Sequence, residues 1–262
     1  MSLPKILYHY CSIESFYGII SSKNIWLSDS SQSNDIKENT WLDHIVKSVL
    51  DDIASSPDIE TIKITAKDYF LCKWNPYIFC LSEEGDLLSQ WRGYADNARG
   101  VSIGFDLSVI KELMGIINSK HKLTSSSDVL HLNKIVYDLA TQKETVQECL
   151  LKDKLNDLSY KYFIMFKNPV FQEEKEWRLS AGSIGGAKPD EFGAIASFKF
   201  RLSNKKIIRY FDLPIVNNLM AKIIKEIIIG SKSEIDETTL HFFLRTHGFK
   251  DVSIRKSILP YR

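Results

Sequence analysis

The segment Glu174-Lys175-Glu176-Trp177-Arg178-Leu179-Ser180-Ala181 constrains the fold more than any other stretch of this chain. Its character alternates residue by residue. A strand sends successive side chains to opposite faces. As a strand, Glu174, Glu176, Arg178 and Ser180 share one face, and Trp177, Leu179 and Ala181 share the other. A tryptophan-led apolar face behind two carboxylates and a guanidinium describes a polar cleft wall. Alternate residues on one strand face lie roughly 6.5–7 Å apart. Two carboxylates at that spacing repel, so one holds its proton more tightly, and the neighbouring arginine offsets this. The plainer reading of the same pattern is a half-exposed strand with a surface ion pair.

A chain of 262 residues buries a real core and makes one large domain or two small ones. Its net charge of +1 argues against broad nucleic-acid binding. No apolar run is long enough for a bilayer, and the start Met1-Ser2-Leu3-Pro4-Lys5 lacks the pattern of a secretory signal, so the expected location is the cytoplasm. Cys11, Cys72, Cys80 and Cys149 form no CxxC pair and read as reduced thiols. His241 and His247 do not share a helix face and there is no HExxH, so no metal site is expected.

Along the chain, Ile6 to Cys11 reads as a strand with Leu7, His9 and Cys11 on one side. Ser12 caps a helix running to about Ser22. A strand from Asn24 to Ser28 carries Trp26, and Asp29 to Asp35 is a loop. An amphipathic helix from about Ile36 to Ala54 presents Trp41, Ile45, Val49 and Ile53 on one stripe. Tyr77–Ser82 and Gly100–Asp106 are strands expected to pair around the short helix Leu87–Arg92. Residues from 107 to about 165 look mainly helical, broken by the Ser125–Asp128 turn and a strand near His131. Further strands fall at Ile195–Phe200, Lys206–Phe211, Lys222–Ile229 and Val252–Ile258, with a helix over Ile235–Thr246. The sum is a single α+β domain over residues 1–262, with a mixed, mostly antiparallel sheet and a helical insertion at about 107–165.

Landmarks recur in a fixed order: Leu7-Tyr8-His9-Tyr10, Ile25-Trp26-Leu27-Ser28, Asn34-Asp35-Ile36, Phe79-Cys80-Leu81-Ser82, Gln90-Trp91-Arg92-Gly93-Tyr94-Ala95, Gly100–Asp106, Glu174–Arg178, Ile229-Gly230 and Ile258–Arg262. Together they resemble the bacterial domain of unknown function 2971 family. More remotely, the layout is similar to ADP-ribosyltransferases of the His-Tyr-Glu type. That resemblance implies an ADP-ribosyltransferase-like fold. It also implies a transferase that cleaves NAD as its substrate and modifies a macromolecular acceptor, as a toxin or phage-defence effector.

The resemblance carries roles residue by residue. His9 matches the first position and would hold a ribose. Trp26 or Ser28 stands where the usual tyrosine is absent, with Trp26, Trp91 or Tyr94 to stack on the nicotinamide. Glu176 or Glu174 would supply the carboxylate beside the oxocarbenium-like charge. Arg92 or Arg178 would grip the pyrophosphate. Each residue has a plainer role. His9 lies between Leu7 and Cys11 on an apolar face, Trp91 and Tyr94 pack on a short helix, and Asp35 with Glu38 caps the long helix. Gly182-Ser183-Ile184-Gly185-Gly186 follows no phosphate-loop pattern and reads as a mobile loop, in the position of a lid. The rival to an enzyme is a non-catalytic sensor module that binds a nucleotide or a peptide in the same polar cleft.

Overall fold

The alternating segments pair into one sheet in the computed structural model, which describes residues 3–32, 38–55, 59–71, 76–120, 130–152, 154, 161–181, 198–203 and 206–260. The strands are β1 (Ile6–Cys11), β2 (Asn24–Asp29), β3 (Tyr77–Ser82), β4 (Val101–Asp106), β5 (His131–Lys134), β6 (Glu176–Ala181), β7 (Phe198–Ser203), β8 (Lys206–Pro214), β9 (Ile224–Ile229) and β10 (Ser253–Lys256). Their order is β10-β9-β4-β1-β3-β2-β8-β7, with β6 on β3 and β5 on β6. Among the described strands only β9–β10 is a parallel pair; the other pairings are antiparallel. The expected α+β class with a mostly antiparallel sheet is the one observed.

The helices are α1 (Ile13–Ser22), α2 (Glu38–Asp52), α3 (Ile59–Leu71), α4 (Leu88–Tyr94), α5 (Leu107–Lys120), α6 (Leu139–Leu151), α7 (Phe163–Met165), α8 (Asn217–Ile223) and α9 (Glu237–Thr246). Ser12 caps α1 by accepting from the Ser15 amide. One core joins sheet residues such as Leu7, Ile103, Leu179 and Ile227 to α1, α5, α8 and α9. A second core lies among α2, α3 and α6 and includes Phe166. Each fully buried aliphatic side chain contributes roughly 1.5–3 kcal/mol through its removal from water.

Several boundaries and pairings differ from the sequence reading. Tyr77–Ser82 and Val101–Asp106 do not pair with each other. β1 lies between them and matches β4 through every residue from Ile6↔Asp106 to Cys11↔Val101. Periodicity identifies faces but not neighbours, and both strands offer the same kind of apolar face. α3 and α8 have no counterpart in the reading, because their apolar residues are too mixed with polar ones to stand out. The described residues after 106 are mainly helical with one short strand, and they serve both cores. α5 buries Ile110, Leu113 and Ile117 in the main core, β5 extends the sheet, and α6 serves the second core. The Asp35 cap, the Ser125–Asp128 turn and the Gly182–Gly193 loop lie outside the described residues. Among the described residues no helix is long and apolar enough to cross a membrane.

One irregularity of the sheet positions the site. β6 runs along the whole of β3. The other edge of β3 is therefore shared. β1 meets it at Tyr8↔Ser82, and β2 meets it at Ser28↔Ile78 and Asp29↔Tyr77. Between those contacts β1 and β2 diverge, and the sheet forks.

Candidate functional site

The pleat assigns every candidate to a face. Tyr8, Ser82 and Glu176 are register neighbours, so they project from one side. Cys80 and Arg178 follow on that side. Leu7, His9, Phe79, Leu81, Trp177 and Leu179 project from the other. His9 and Glu176 therefore emerge from opposite faces of β1, β3 and β6, and the sheet does not bring them into one cleft.

His9 occupies the fork. Its imidazole stacks on Phe79 with ring centroids 4.0 Å apart. Its Nδ1 lies 2.8 Å from the Cys80 carbonyl. A carbonyl only accepts, so Nδ1 carries the proton and Nε2 is the remaining acceptor. That bond satisfies a β3 carbonyl where β1 has left the edge and β2 has not yet joined. Burial pushes the imidazole down to about 4; the Cys80 bond works the other way, and the Arg201 charge adds to the lowering. His9 is neutral at neutral pH.

The segment that opened the sequence reading is neither a cleft wall nor an exposed strand. β6 is buried along its whole length. Glu174 does not belong to it. Pro169–Glu174 forms a 3-10 turn, and Lys175, with φ 44°, swings the chain before β6 begins at Glu176. Both carboxylates nevertheless converge on Lys167, a residue the sequence reading passed over. Its Nζ lies 2.6 Å from Glu174 Oε2 and 2.9 Å from Glu176 Oε2. Arg178 grips Glu176 through Nε at 2.7 Å and Nη2 at 3.1 Å, and donates from Nη1 to the Ile164 carbonyl. Tyr94 Oη lies 3.3 Å from Glu174 Oε1.

Lys167, Glu174, Glu176 and Arg178 are all buried. Two acids meet two bases, so the cluster is neutral overall. Burial raises the Glu176 carboxyl above its ordinary value; Lys167 pulls it back and Glu174 adds to the rise. Burial works against the Lys167 ammonium, but Glu176, Tyr94 and Glu174 outweigh it and hold its proton well above the usual lysine range. Both carboxylates are engaged by cations, as expected of a buried network in which each charge needs a partner. The signal for Lys167 in the sequence was a lysine set in the apolar run Phe163–Phe166 and Pro169–Phe171.

The remaining candidates divide. Trp91 is buried at 1% exposure, its Nε1 donates to Asp86 Oδ1 at 2.7 Å, and its ring packs edge-on to Tyr10. It is a core residue and presents no stacking face. Arg92 is exposed on α4. Tyr94 belongs to the Lys167 cluster.

Trp26 and Ser28 lie together on β2, both partly open to solvent. They meet a residue the sequence reading missed, Arg201 of β7. Its Nη2 donates to Ser28 Oγ at 3.0 Å, and its Nη1 reaches Ser15 Oγ of α1 at 3.5 Å. Its guanidinium carbon stands 5.6 Å from the centre of the Trp26 ring. Trp26 also meets Tyr210 of β8, with centroids 5.1 Å apart. Gly18 of α1 makes room for the indole, since a Cβ there would sit 2.0 Å from Trp26 Cη2. Nothing in the sequence linked Arg201 to β2, because a long-range strand pairing brings them together. Among the described residues no three or more His, Cys, Asp or Glu side chains form a group that could hold a metal ion.

No curated protein and no solved structure matches the chain. Residues 90–179 match the model of a family described as Protein of unknown function (DUF2971). That stretch runs from Gln90 to Leu179 and contains the whole Lys167–Glu174–Glu176–Arg178 cluster, whereas His9, Trp26, Ser28 and Arg201 lie outside it. Over those residues the chain is similar to the domain of unknown function 2971 family.

Proposed function

We propose that this protein is a non-catalytic binding module for a nucleotide-like ligand. One observation carries this reading. Glu174 and Glu176, the carboxylates a glycosidic cleavage would use, are buried and engaged by Lys167 and Arg178, and Glu176 emerges across the sheet from His9. A carboxylate that stabilises an oxocarbenium-like charge must face the sugar and have a lone pair to offer. The ADP-ribosyltransferase reading needs His9 and Glu176 in one cleft. The binding reading needs only a polar and aromatic surface near the fork, which Trp26, Tyr210, Ser28 and Arg201 supply.

The test combines calorimetry with chemical detection. NAD is titrated into the protein, and free nicotinamide is then quantified after prolonged incubation with and without cell extract. Saturable binding with no nicotinamide release is the expected result. Nicotinamide release that Glu176→Gln abolishes, with unchanged melting, overturns the reading, and so does a complete lack of binding to NAD, ADP and AMP.

A further inference from the structure

Arg201 differs from the ion-paired arginines of this protein. Arg178, Arg209 and Arg255 each hold a carboxylate. Arg201 has none within ion-pair distance among the described residues. Its partners are the Ser28 and Ser15 hydroxyls and the Trp26 ring. A guanidinium carries five N–H donors. Two of the five meet hydroxyl oxygens, one of them at the 3.5 Å limit of a hydrogen bond. Arg201 Nε and Trp26 Nε1 are buried with no acceptor among the described residues. Leaving such a donor unmet costs about 1–3 kcal/mol. The locality has an excess of donors and an unneutralised positive charge, the complement of an oxyanion.

The surroundings favour a phosphate. Each serine accepts from Arg201 and so keeps its own O–H to donate. Ser15 lies in the first turn of α1, a ten-residue helix whose N-terminal end adds positive potential. The acid in that turn, Glu14, is turned to the Ser12 hydroxyl, which lowers its pKa. Asp212, the register partner of Trp26, holds Lys199 and Asn24 through Oδ2, and its Oδ1 is buried with no partner among the described residues. A planar fork flanked by two hydroxyls suits the several oxygens of a phosphate. The Trp26–Tyr210 pair beside it offers a flat apolar surface of the kind a base stacks on.

Resting on the binding reading above, we infer that Arg201, Ser15 and Ser28 form the phosphate subsite of the ligand, with Trp26 and Tyr210 receiving its ring. The site lies on strands β2, β7 and β8 and at the start of α1.

The experiment titrates inorganic pyrophosphate and, separately, NAD into the wild type, Arg201→Gln, Arg201→Lys, Ser28→Ala and Trp26→Phe, with melting measured for each. Pyrophosphate should bind the wild type, weaken by at least thirtyfold in Arg201→Gln, and weaken by about three- to tenfold in Arg201→Lys and Ser28→Ala. Trp26→Phe keeps a ring and removes Nε1–H, so it should weaken both probes by less than the arginine change. If Arg201→Gln melts well below the wild type, Arg201→Lys and Ser28→Ala decide, and equal pyrophosphate affinity in both overturns the subsite. NAD binding that ignores every Arg201 change removes the subsite and leaves the binding reading standing. Arg201-dependent pyrophosphate binding without NAD binding supports the subsite and removes NAD as its ligand.

Discussion

Replacing Lys167 by methionine is the sharpest perturbation of the buried cluster. Methionine approximates the lysine stem but has no charge. One ammonium lies within 2.6 Å and 2.9 Å of two carboxylates, in a site where lysine and both acids are buried. Arg178 remains on Glu176, but Glu174 keeps only Tyr94 among the contacts described above. Removing one partner of a buried pair costs about 3–5 kcal/mol, because it strands the other charge. A domain of this size has a total stability of about 5–15 kcal/mol, so the variant should unfold at markedly lower urea. The assay is urea unfolding of both proteins at pH 7 and again near pH 4. Burial already raises the Glu176 carboxyl, and without Lys167 to pull it back that group takes up a proton more readily, so the deficit should shrink at the lower pH. Adding Glu174→Gln should recover part of the loss, since it removes the acid left without a cation. A deficit below about 1 kcal/mol at pH 7, typical of a solvated pair, would refute the claim that this network is a buried structural element.

His9 gives a second prediction. Its imidazole falls from the ordinary 6.5 to about 4 on folding, chiefly through burial. A base with a depressed folded pKa contributes stability above the unfolded value, and that contribution is lost as pH falls from 6.5 towards 4. Two and a half units correspond to at most about 3–4 kcal/mol. His9→Gln keeps a donor for the Cys80 carbonyl, so its stability should vary less over that window; identical pH profiles would contradict the assignment. Lys23 closes α1 in the left-handed region at φ 56°. Lys23→Gly should stabilise by about 0.5–1 kcal/mol in thermal unfolding, because glycine takes that conformation without a Cβ penalty.

Much of the architecture was legible in the sequence because the pleat leaves a period-two trace. Ile6–Cys11, Tyr77–Ser82 and the cap at Ser12 all fall where the pattern places them. Glu174 shows where the trace misleads: it continues the alternation in letters, but the turn at Lys175 takes it off the strand. The plainer readings of His9 and Trp91 are the ones the geometry favours, since an apolar face and a short helix already implied packing. The candidate site was half visible. Trp26 and Ser28 stood out on a short strand, whereas Arg201 reaches them only through β2–β8 and β8–β7 pairing across more than 170 residues. Lys167 escaped because its apolar neighbours signal burial but only its partners reveal what the charge does.

The claim that this fold binds rather than cleaves is tested most directly by nicotinamide release under saturating NAD. The account predicts saturable NAD binding, no nicotinamide above the buffer control, and the same null result for Glu176→Gln. Turnover by the wild type that disappears in a folded Glu176→Gln variant would contradict it.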